Sequence, residues 1–521
     1  MTKPKLQQLP EIQQWLDSVA PAGAELVSDS RKVKAGDVFF AYPGDAADGR
    51  AYIAQALENG ACAVLYEKEK FAWDTTWRAP HRAVSGLKQL SGEIAHGYYG
   101  QADQGMLVVA VTGTNGKTSC SQWLGHALSH LGQATGVIGT LGTGIYTQGE
   151  RGEFEETGNT TPDALLLQQT LNGMRRQGAT ALAIEASSIG LEQGRLNGLH
   201  VDIALFTNFT RDHLDYHGDE QHYEAAKRML FDWPGLQHAV INLDDAMGLR
   251  LVKHLAQKQP AIPVIGYSCE ELEAPSAVSE AGVPAAGAPV LRASAIRTNA
   301  NGTAFHVDSP FGSAQVKTQL VGQFNVSNAL GILGVLLAKG VAWDAALNAI
   351  ELLVAVPGRM QQFGGQDAPL IVIDYAHTPD ALEKTLNTLR QVTQQRNGEL
   401  WCVFGCGGDR DPGKRPQMGA VAERADHVIV TSDNPRSEEP AVIISQILAG
   451  MKAPQAAQAL EDRAAAILWA VRHAAKADVV LLAGKGHETY QEIKGKKLPF
   501  LDADHTALAL AARATMKGGS I

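Results

Sequence analysis

Apolar positions along this chain fall into two rhythms, short continuous runs and helical stripes, and the two alternate. Residues 107–111 are a continuous apolar run, as expected for a strand buried on both faces. Residues 112–116 form a tight polar loop. From Lys117 onward Trp123, Leu124, Ala127, Leu128 and Leu131 share one helical face, which Gly132 ends. Further buried strands are expected at 181–184 and 203–206. Beyond the Val356-Pro357-Gly358 break the alternation resumes, with strands at 370–374, 400–404, 427–431 and 478–482 and helices at 379–391, 441–448 and 463–473. Such alternation implies a parallel sheet covered by helices on both faces, in which ligands bind beyond the carboxyl ends of the strands. The first hundred residues are less regular: a strand at 37–41, a helix at 52–57 and a strand at 61–65. The polar stretch 101–104 reads as a linker. Residues 270–289, rich in Ala, Pro, Ser and Gly, read as a surface insertion or mobile loop without function.

At roughly 150 residues per domain, 521 residues suggest three domains, placed at 1–104, 105–356 and 357–521. A net charge of −10 argues against a general nucleic-acid binder, while leaving room for local basic pockets. No stretch approaches the roughly 20 apolar residues of a membrane span, and residues 1–10 are polar without a signal-like apolar region, so a cytoplasmic protein is expected. The cysteines Cys62, Cys120, Cys269, Cys402 and Cys406 are scattered, which points to reduced thiols. Cys402 falls in an apolar strand run, and no His or Cys pair elsewhere has zinc spacing.

The strongest chemical signal is Val111-Thr112-Gly113-Thr114-Asn115-Gly116-Lys117-Thr118-Ser119, between a predicted strand and a predicted helix. Glycines let backbone N–H groups curl around a phosphate, and the helix N-terminus adds favourable dipole charge. Lys117 can reach β- and γ-phosphates, and the Thr118 hydroxyl can hold Mg²⁺. Val111 stands where the general phosphate-loop pattern has its first glycine, so the match is to a shortened form. The alternative is a plain glycine-rich turn.

Gly113-Thr114-Asn115-Gly116-Lys117-Thr118 resembles the ATP loop of the Mur ligases, the cytoplasmic amide-bond-forming enzymes of bacterial cell-wall precursor synthesis. Other segments agree: Asn159-Thr160-Thr161-Pro162, Glu185-Ala186-Ser187-Ser188, Asn208-Phe209-Thr210-Arg211-Asp212-His213-Leu214-Asp215, Tyr223-Glu224-Ala225-Ala226-Lys227, Gly322-Gln323-Phe324-Asn325, Pro357-Gly358-Arg359-Met360 and Asp374-Tyr375-Ala376-His377. The likeness runs from about residue 29 to about 492. Within the family the chain is most similar to the MurE branch, through Gly405-Cys406-Gly407-Gly408-Asp409-Arg410, Asp433-Asn434-Pro435-Arg436 and Gly484-Lys485-Gly486-His487-Glu488.

The resemblance implies an α/β protein of three domains: an N-terminal domain for the uridine end of the substrate, a central P-loop ATPase domain with a parallel sheet, and a C-terminal Rossmann-like domain for the incoming amino acid. It implies addition of meso-2,6-diaminopimelate to UDP-N-acetylmuramoyl-L-alanyl-D-glutamate through an acyl phosphate. Joining two anions, carboxylate and triphosphate, needs cations and oriented dipoles.

Lys117, Glu185, His213 and Lys227 are the implied catalytic residues, and Thr118, Glu185, His213 and Lys227 the implied Mg²⁺ ligands, with Lys227 carbamylated. Without the resemblance, Lys227 reads as an exposed lysine on a helix over 223–231. Gly113, Thr114, Asn115, Gly116, Lys117, Thr118 and Ser119, with Asn325, Arg359 and Asp374, are implied to bind ATP. A cap before Pro379 is the other reading of Asp374. Ser28, Ser30, Asn159, Thr160, Thr161, Ser187, Gln193 and Arg195 are implied to hold the nucleotide-sugar peptide. Two departures stand out: Asp45-Ala46 where relatives often have His-Gln, and Ile189 where Ser-Ser-His is usual.

Arg410, Asp433, Asn434, Pro435, Arg436, Gly484 and Glu488 are implied to bind diaminopimelate. A guanidinium can hold its second carboxylate through paired hydrogen bonds. The alternative for Arg436 is a solvated loop arginine. The expected partners are small molecules alone, with no nucleic acid and no membrane span, and the chain is expected to be a monomer. Another amide ligase of the superfamily, such as folylpolyglutamate synthase, a P-loop kinase and a non-catalytic nucleotide switch are the rival classes.

Overall fold

The computed structural model describes residues 8–45, 47–270 and 288–518. Ala46 and residues 271–287, the bulk of the expected insertion, lie outside the described residues. Three sheets organise the chain. The first is parallel, in the order Leu26–Val27, Val38–Ala41, Ala63–Glu67, His81–Val84, with helices Leu9–Val19, Ile53–Glu58 and Leu87–Tyr98 around it.

The second sheet has eleven strands, with Leu107–Thr112 near its middle, flanked by Ile203–Phe206 and Ala181–Glu185. Its centre is parallel, and antiparallel strands close both edges. The strand Leu107–Thr112 is buried along almost its whole length because helices cover both faces, which is what its unbroken apolar run requires.

The third sheet places Leu370–Asp374, Val479–Ala483, Leu400–Phe404 and His427–Val430 side by side in parallel, with Gln361–Gly364 antiparallel at one edge. Cys402 and Cys406 are buried in the core of this sheet as free thiols. Val356 packs into the central core and Met360 into the C-terminal one, so the chain crosses between sheets at Pro357-Gly358-Arg359. Gly358 has φ +69°, and a Cβ there would lie 2.2 Å from the His487 amide nitrogen. Only glycine fits that crossing.

Two expectations are sharpened. The polar stretch 101–104 joins helix Leu87–Tyr98 to strand Leu107–Thr112, as a linker would, but it is pinned in place. Asp103 is buried and accepts from His96 Nε2 at 2.7 Å and from the His200 backbone N–H at 2.8 Å, with His200 Nδ1 at 2.9 Å. Charged hydrogen bonds to Asp103 and Asp202 raise the His200 pKa to about 10, against the cost of burial. The helix expected over 223–231 runs Glu220–Arg228 and tightens into a 3-10 turn at Met229–Asp232. Asp219 starts it early by accepting the His222 amide. Among the described residues no helix is long and apolar enough to cross a membrane.

Candidate active site

The carboxyl ends of the central strands converge on a cavity of about 690 Å³ that the C-terminal sheet closes from the other side. Strand Leu107–Thr112 runs into the loop Gly113 to Gly116, and helix Lys117–His130 follows. Gly113 has φ +150°, and a Cβ would lie 1.9 Å from Thr207 Oγ1, so the loop can press against the neighbouring strand end only with glycine there. The loop is tied down by Asn115 N–H to Asn208 Oδ1 at 2.9 Å and Thr207 Oγ1 to the Asn115 carbonyl at 2.6 Å. Thr114 Oγ1 donates to the Thr210 carbonyl at 3.1 Å, and Ser119 is buried.

Lys117 Nζ donates to the carbonyls of Gly113 and Thr114, each at 2.8 Å. Burial lowers its pKa, against the pull of Glu185 and Asp212. Thr118 Oγ1 donates to Glu185 Oε2 at 3.1 Å and accepts from Arg359 Nη2 at 3.2 Å, linking the phosphate loop to the far side of the domain crossing. Arg359 stacks on Tyr375 at 4.3 Å, and its Nη1 is buried without a hydrogen-bond partner among the described residues. Glu185, fully buried at the end of its strand, also accepts from the Thr140 N–H at 2.8 Å and Thr140 Oγ1 at 3.1 Å. Burial raises its pKa, and these bonds with Lys117 and Arg359 work in the opposite direction.

Lys227 is only 1% exposed, which rules out a solvated surface lysine. Its Nζ donates to the Gly113 carbonyl at 2.8 Å and sits over the Tyr223 ring at 4.3 Å. Burial, then the charge of Lys117, pushes its pKa well below that of an ordinary lysine. His213, with φ +53° beside Asp212, has its pKa pushed down to about 4, chiefly by burial. Lys117 and Lys227 add to that shift, and Asp212 opposes it.

Asn325 and Asp374 line the same cavity. Asn325 Nδ2 donates to the Val321 carbonyl at 2.9 Å. Asp374 accepts from the Met360 N–H at 2.9 Å, and burial raises its pKa. Thr378, not Asp374, caps the helix Pro379–Arg396.

Asn159, Thr160, Thr161, Ser187 and Arg195 line the opposite wall, together with Ile189. Thr161 Oγ1 donates to the Glu185 carbonyl at 2.7 Å and contacts Ser187 Oγ at 3.0 Å; Thr160 Oγ1 meets Thr140 Oγ1 at 3.1 Å. Arg195 donates through Nη1 to the Thr161 carbonyl at 2.7 Å and through Nε to Gln193 Oε1 at 2.8 Å. Gln193 in turn donates to Asp45, which also accepts from Lys88 Nζ at 2.7 Å. Asp45 therefore ties the first sheet's neighbourhood to this wall. Ser28 lines a second cavity of about 480 Å³ with Arg31, Lys32, Lys34 and Asp163, whereas Ser30 is buried and donates to Gln55 Oε1 at 2.7 Å.

The seven residues expected to hold the amino acid form their own cluster at the strand ends of the C-terminal sheet, outside the lining of the large cavity. Arg436 has φ +51°, donates through Nη1 to the Gly408 carbonyl at 2.7 Å and pairs through Nε with Glu492 at 3.4 Å. It is not a solvated arginine. Arg410 and Arg436 both flank Gly407, where a Cβ would lie 3.8 Å from Arg410 Cγ and 2.9 Å from Arg436 Nη1. Asn434 donates to Glu488 at 2.7 Å, and buried Lys485 donates to Glu488 at 2.8 Å and Asn434 Oδ1 at 3.2 Å. A side chain on Gly484 would crowd Asp433, and one on Gly408 would strike the Pro435 carbonyl.

Sequence reasoning assigned no role to Thr140, Asp212, Tyr375, His377 or Lys485. Thr140 follows strand Thr135–Gly139, which the apolar pattern did not single out. His377 and Lys485 stood inside motifs already singled out.

Family profiles agree with this layout. The profile described as Mur ligase family, catalytic domain matches residues 25–99; Mur ligase middle domain matches 111–336; Mur ligase, glutamate ligase domain matches 358–486. A UDP-N-acetylmuramoyl-L-alanyl-D-glutamate--2,6-diaminopimelate ligase of Janthinobacterium sp. (strain Marseille) is 64% identical over 98% of each chain. The enzyme of the same name from Ralstonia nicotianae is 52% identical over 97% of this chain and 96% of its own. A solved structure of a protein so named is 37% identical, with a TM-score of 0.64, covering 94% of this chain and 95% of that one. The chain belongs to the Mur ligase family, a class of ATP-dependent amide-bond-forming enzymes. Within that family it stands on the MurE branch.

Proposed function

We propose that this protein uses ATP to join meso-2,6-diaminopimelate to UDP-N-acetylmuramoyl-L-alanyl-D-glutamate through an acyl phosphate. The observation that carries the reading is that one cavity is lined by a phosphate loop with the half-buried Lys117, by the buried Lys227 and the buried carboxylate of Glu185, and also by Arg195 and Thr160. A terminal carboxylate held on the Arg195 wall lies opposite a γ-phosphate held by Lys117 and Arg359. Lys117 exchanges its two loop carbonyls for phosphate oxygens. Arg359, with one N–H group lacking a partner, has a donor to spare for the same charge. Asn325 and Asp374 take adenine and ribose.

The donor set suits Mg²⁺, a hard cation bound through few protein oxygens together with substrate phosphates. Thr118 and Glu185 would hold one ion, and His213 and Lys227 a second. Mg²⁺ there would neutralise charge on the transferring phosphoryl group. A lysine ammonium would repel it. Burial and the charge of Lys117 lower the pKa of Lys227, which favours the neutral amine, the form that captures CO₂ as a carbamate, and a carbamate is an anion able to ligate the ion. His213 likewise stays neutral above about pH 4, as a ligand must.

Arg410 and Arg436 would clamp the distal carboxylate of diaminopimelate, with Asp433, Asn434, Pro435 and Gly484 shaping the pocket and Glu488 facing its ammonium group. The domains at 1–104, 105–356 and 357–521 would bind UDP-substrate, ATP and amino acid respectively, with Ser28 and Ser30 at the uridine end. The protein would work in the cytoplasm as a monomer. The experiment is ADP release with the UDP-dipeptide and ATP, comparing diaminopimelate, lysine, and glutamate with a folate. Release that depends on the dipeptide and on diaminopimelate supports the reading; release driven equally by glutamate and a folate would contradict it.

A further inference from the structure

The motif Asp374-Tyr375-Ala376-His377 ends in a histidine that neither the nucleotide nor the amino-acid cluster accounts for. His377 Nδ1 lies 2.8 Å from the Tyr375 carbonyl. A carbonyl only accepts, so Nδ1 carries the ring proton and Nε2 is left with a free lone pair. The ring lines the large cavity. It also stands beside the amino-acid cluster. Lys414, on the loop and helix that follow Arg410, donates to the His377 carbonyl at 3.1 Å, and Tyr375 lies against His487 with ring centres 5.3 Å apart. His377 therefore sits where the cavity meets the expected amine pocket.

We propose that His377 is the general base that takes a proton from the attacking ammonium group of the amino-acid substrate. This rests on the ligase reading above. The amine arrives as R–NH₃⁺ and has no lone pair for attack. His377 Nε2 takes one proton. The freed nitrogen pair forms the C–N bond at the acyl-phosphate carbon, the C–O bond to phosphate breaks, and phosphate departs with that electron pair. The second proton, shed as the tetrahedral adduct collapses, leaves on the phosphate.

The charges around the ring suit the task. Burial lowers the pKa of the imidazole, Asp212 and the bond to the Tyr375 carbonyl oppose this, and the cations Lys414 and Arg359 reinforce it, which favours the unprotonated ring that a base needs. The Tyr375 carbonyl fixes the tautomer.

The test separates the two half-reactions. Hydroxylamine attacks an acyl phosphate as a neutral nucleophile and needs no base. His377→Ala and His377→Gln are compared with the native protein for hydroxamate formation and for ligation of diaminopimelate. We expect ligation to fall about a hundredfold, the usual scale for loss of a general base, while hydroxamate forms within about twofold of the native rate. The variants' ligation rate should then climb about tenfold per pH unit as solution deprotonates the amine, with the native rate flat over that range. Hydroxamate and ligation falling together would overturn the proposal, as would a native-like His377→Gln. Native protein that makes no hydroxamate would instead refute the acyl-phosphate reading itself.

Discussion

The phosphate-loop side of the large cavity and the Arg436 cluster of the C-terminal sheet hold their charges differently. Around the phosphate loop, the half-buried Lys117 and the buried Lys227 and Glu185 are displaced toward their neutral forms, and Arg359 keeps an N–H group without a partner among the described residues. In the C-terminal cluster the charges satisfy one another: Arg436 with Glu492, Lys485 with Glu488, and Arg415 with Glu438 at 2.8 Å. The first arrangement gains when a polyanion and its counter-ions arrive. The second must exchange an internal partner for the substrate. Loss of a charge should therefore cripple turnover on the first side and mainly shift apparent affinity on the second.

The largest effect is expected at Lys117. Lys117→Ala should lower kcat by roughly a thousandfold, the upper range for losing one transition-state donor, with the fold intact by circular dichroism. Lys227→Arg comes next. Arginine keeps the positive charge and cannot form the carbamate, so turnover should fall by at least a hundredfold, on the scale of a lost metal ligand or its support. Protein labelled with ¹³C-bicarbonate should show a carbamate resonance that this variant lacks. Activity should also fall as acid protonates the Lys227 amine, because only the neutral amine binds CO₂.

On the amino-acid side, Arg436→Ala should raise the KM for diaminopimelate roughly 30- to 100-fold, matching about 2–3 kcal/mol for charged hydrogen bonds. The KM for ATP should hardly move. Equal changes in both would erase the distinction between the two sides. The smallest effect sharpens it: Glu492→Gln releases Arg436 from its internal partner and should lower the KM for diaminopimelate about two- to threefold, the scale of a partly exposed ion pair.

The strands that are unbroken apolar runs were legible, whereas the antiparallel edge strands of the central sheet, such as Glu150–Glu155 and Gly312–Thr318, carry no such run and were not expected. Strands Ile203–Phe206, Leu370–Asp374 and Leu400–Phe404 and helix Arg463–His473 lie where periodicity put them. The sequence is less informative where a polar stretch is held by distant partners. Asp103 looks like linker material until His96 and His200 close around it, and no local rhythm reports that. Burial of Lys227 was equally invisible: its helix is polar, and although Tyr223 sits one turn earlier on the same helix, the Gly113 carbonyl that Lys227 donates to is brought there by tertiary packing. Arg359 could be linked to the phosphate loop through family likeness, but its bond to Thr118 depends on how two sheets meet. His377 stood in a recognised motif, yet its function depends on which nitrogen bears the proton, and the Tyr375 carbonyl decides that.

The account turns on ATP activating a carboxylate that then joins an amine. UDP-N-acetylmuramoyl-L-alanyl-D-glutamate labelled with ¹⁸O in its terminal carboxylate tests this directly. Single-turnover reaction with ATP and diaminopimelate should deliver one ¹⁸O atom to each inorganic phosphate released, because the carboxylate oxygen leaves on phosphorus. Phosphate carrying no ¹⁸O alongside tripeptide product would contradict an acyl-phosphate intermediate and the arrangement of the site built on it.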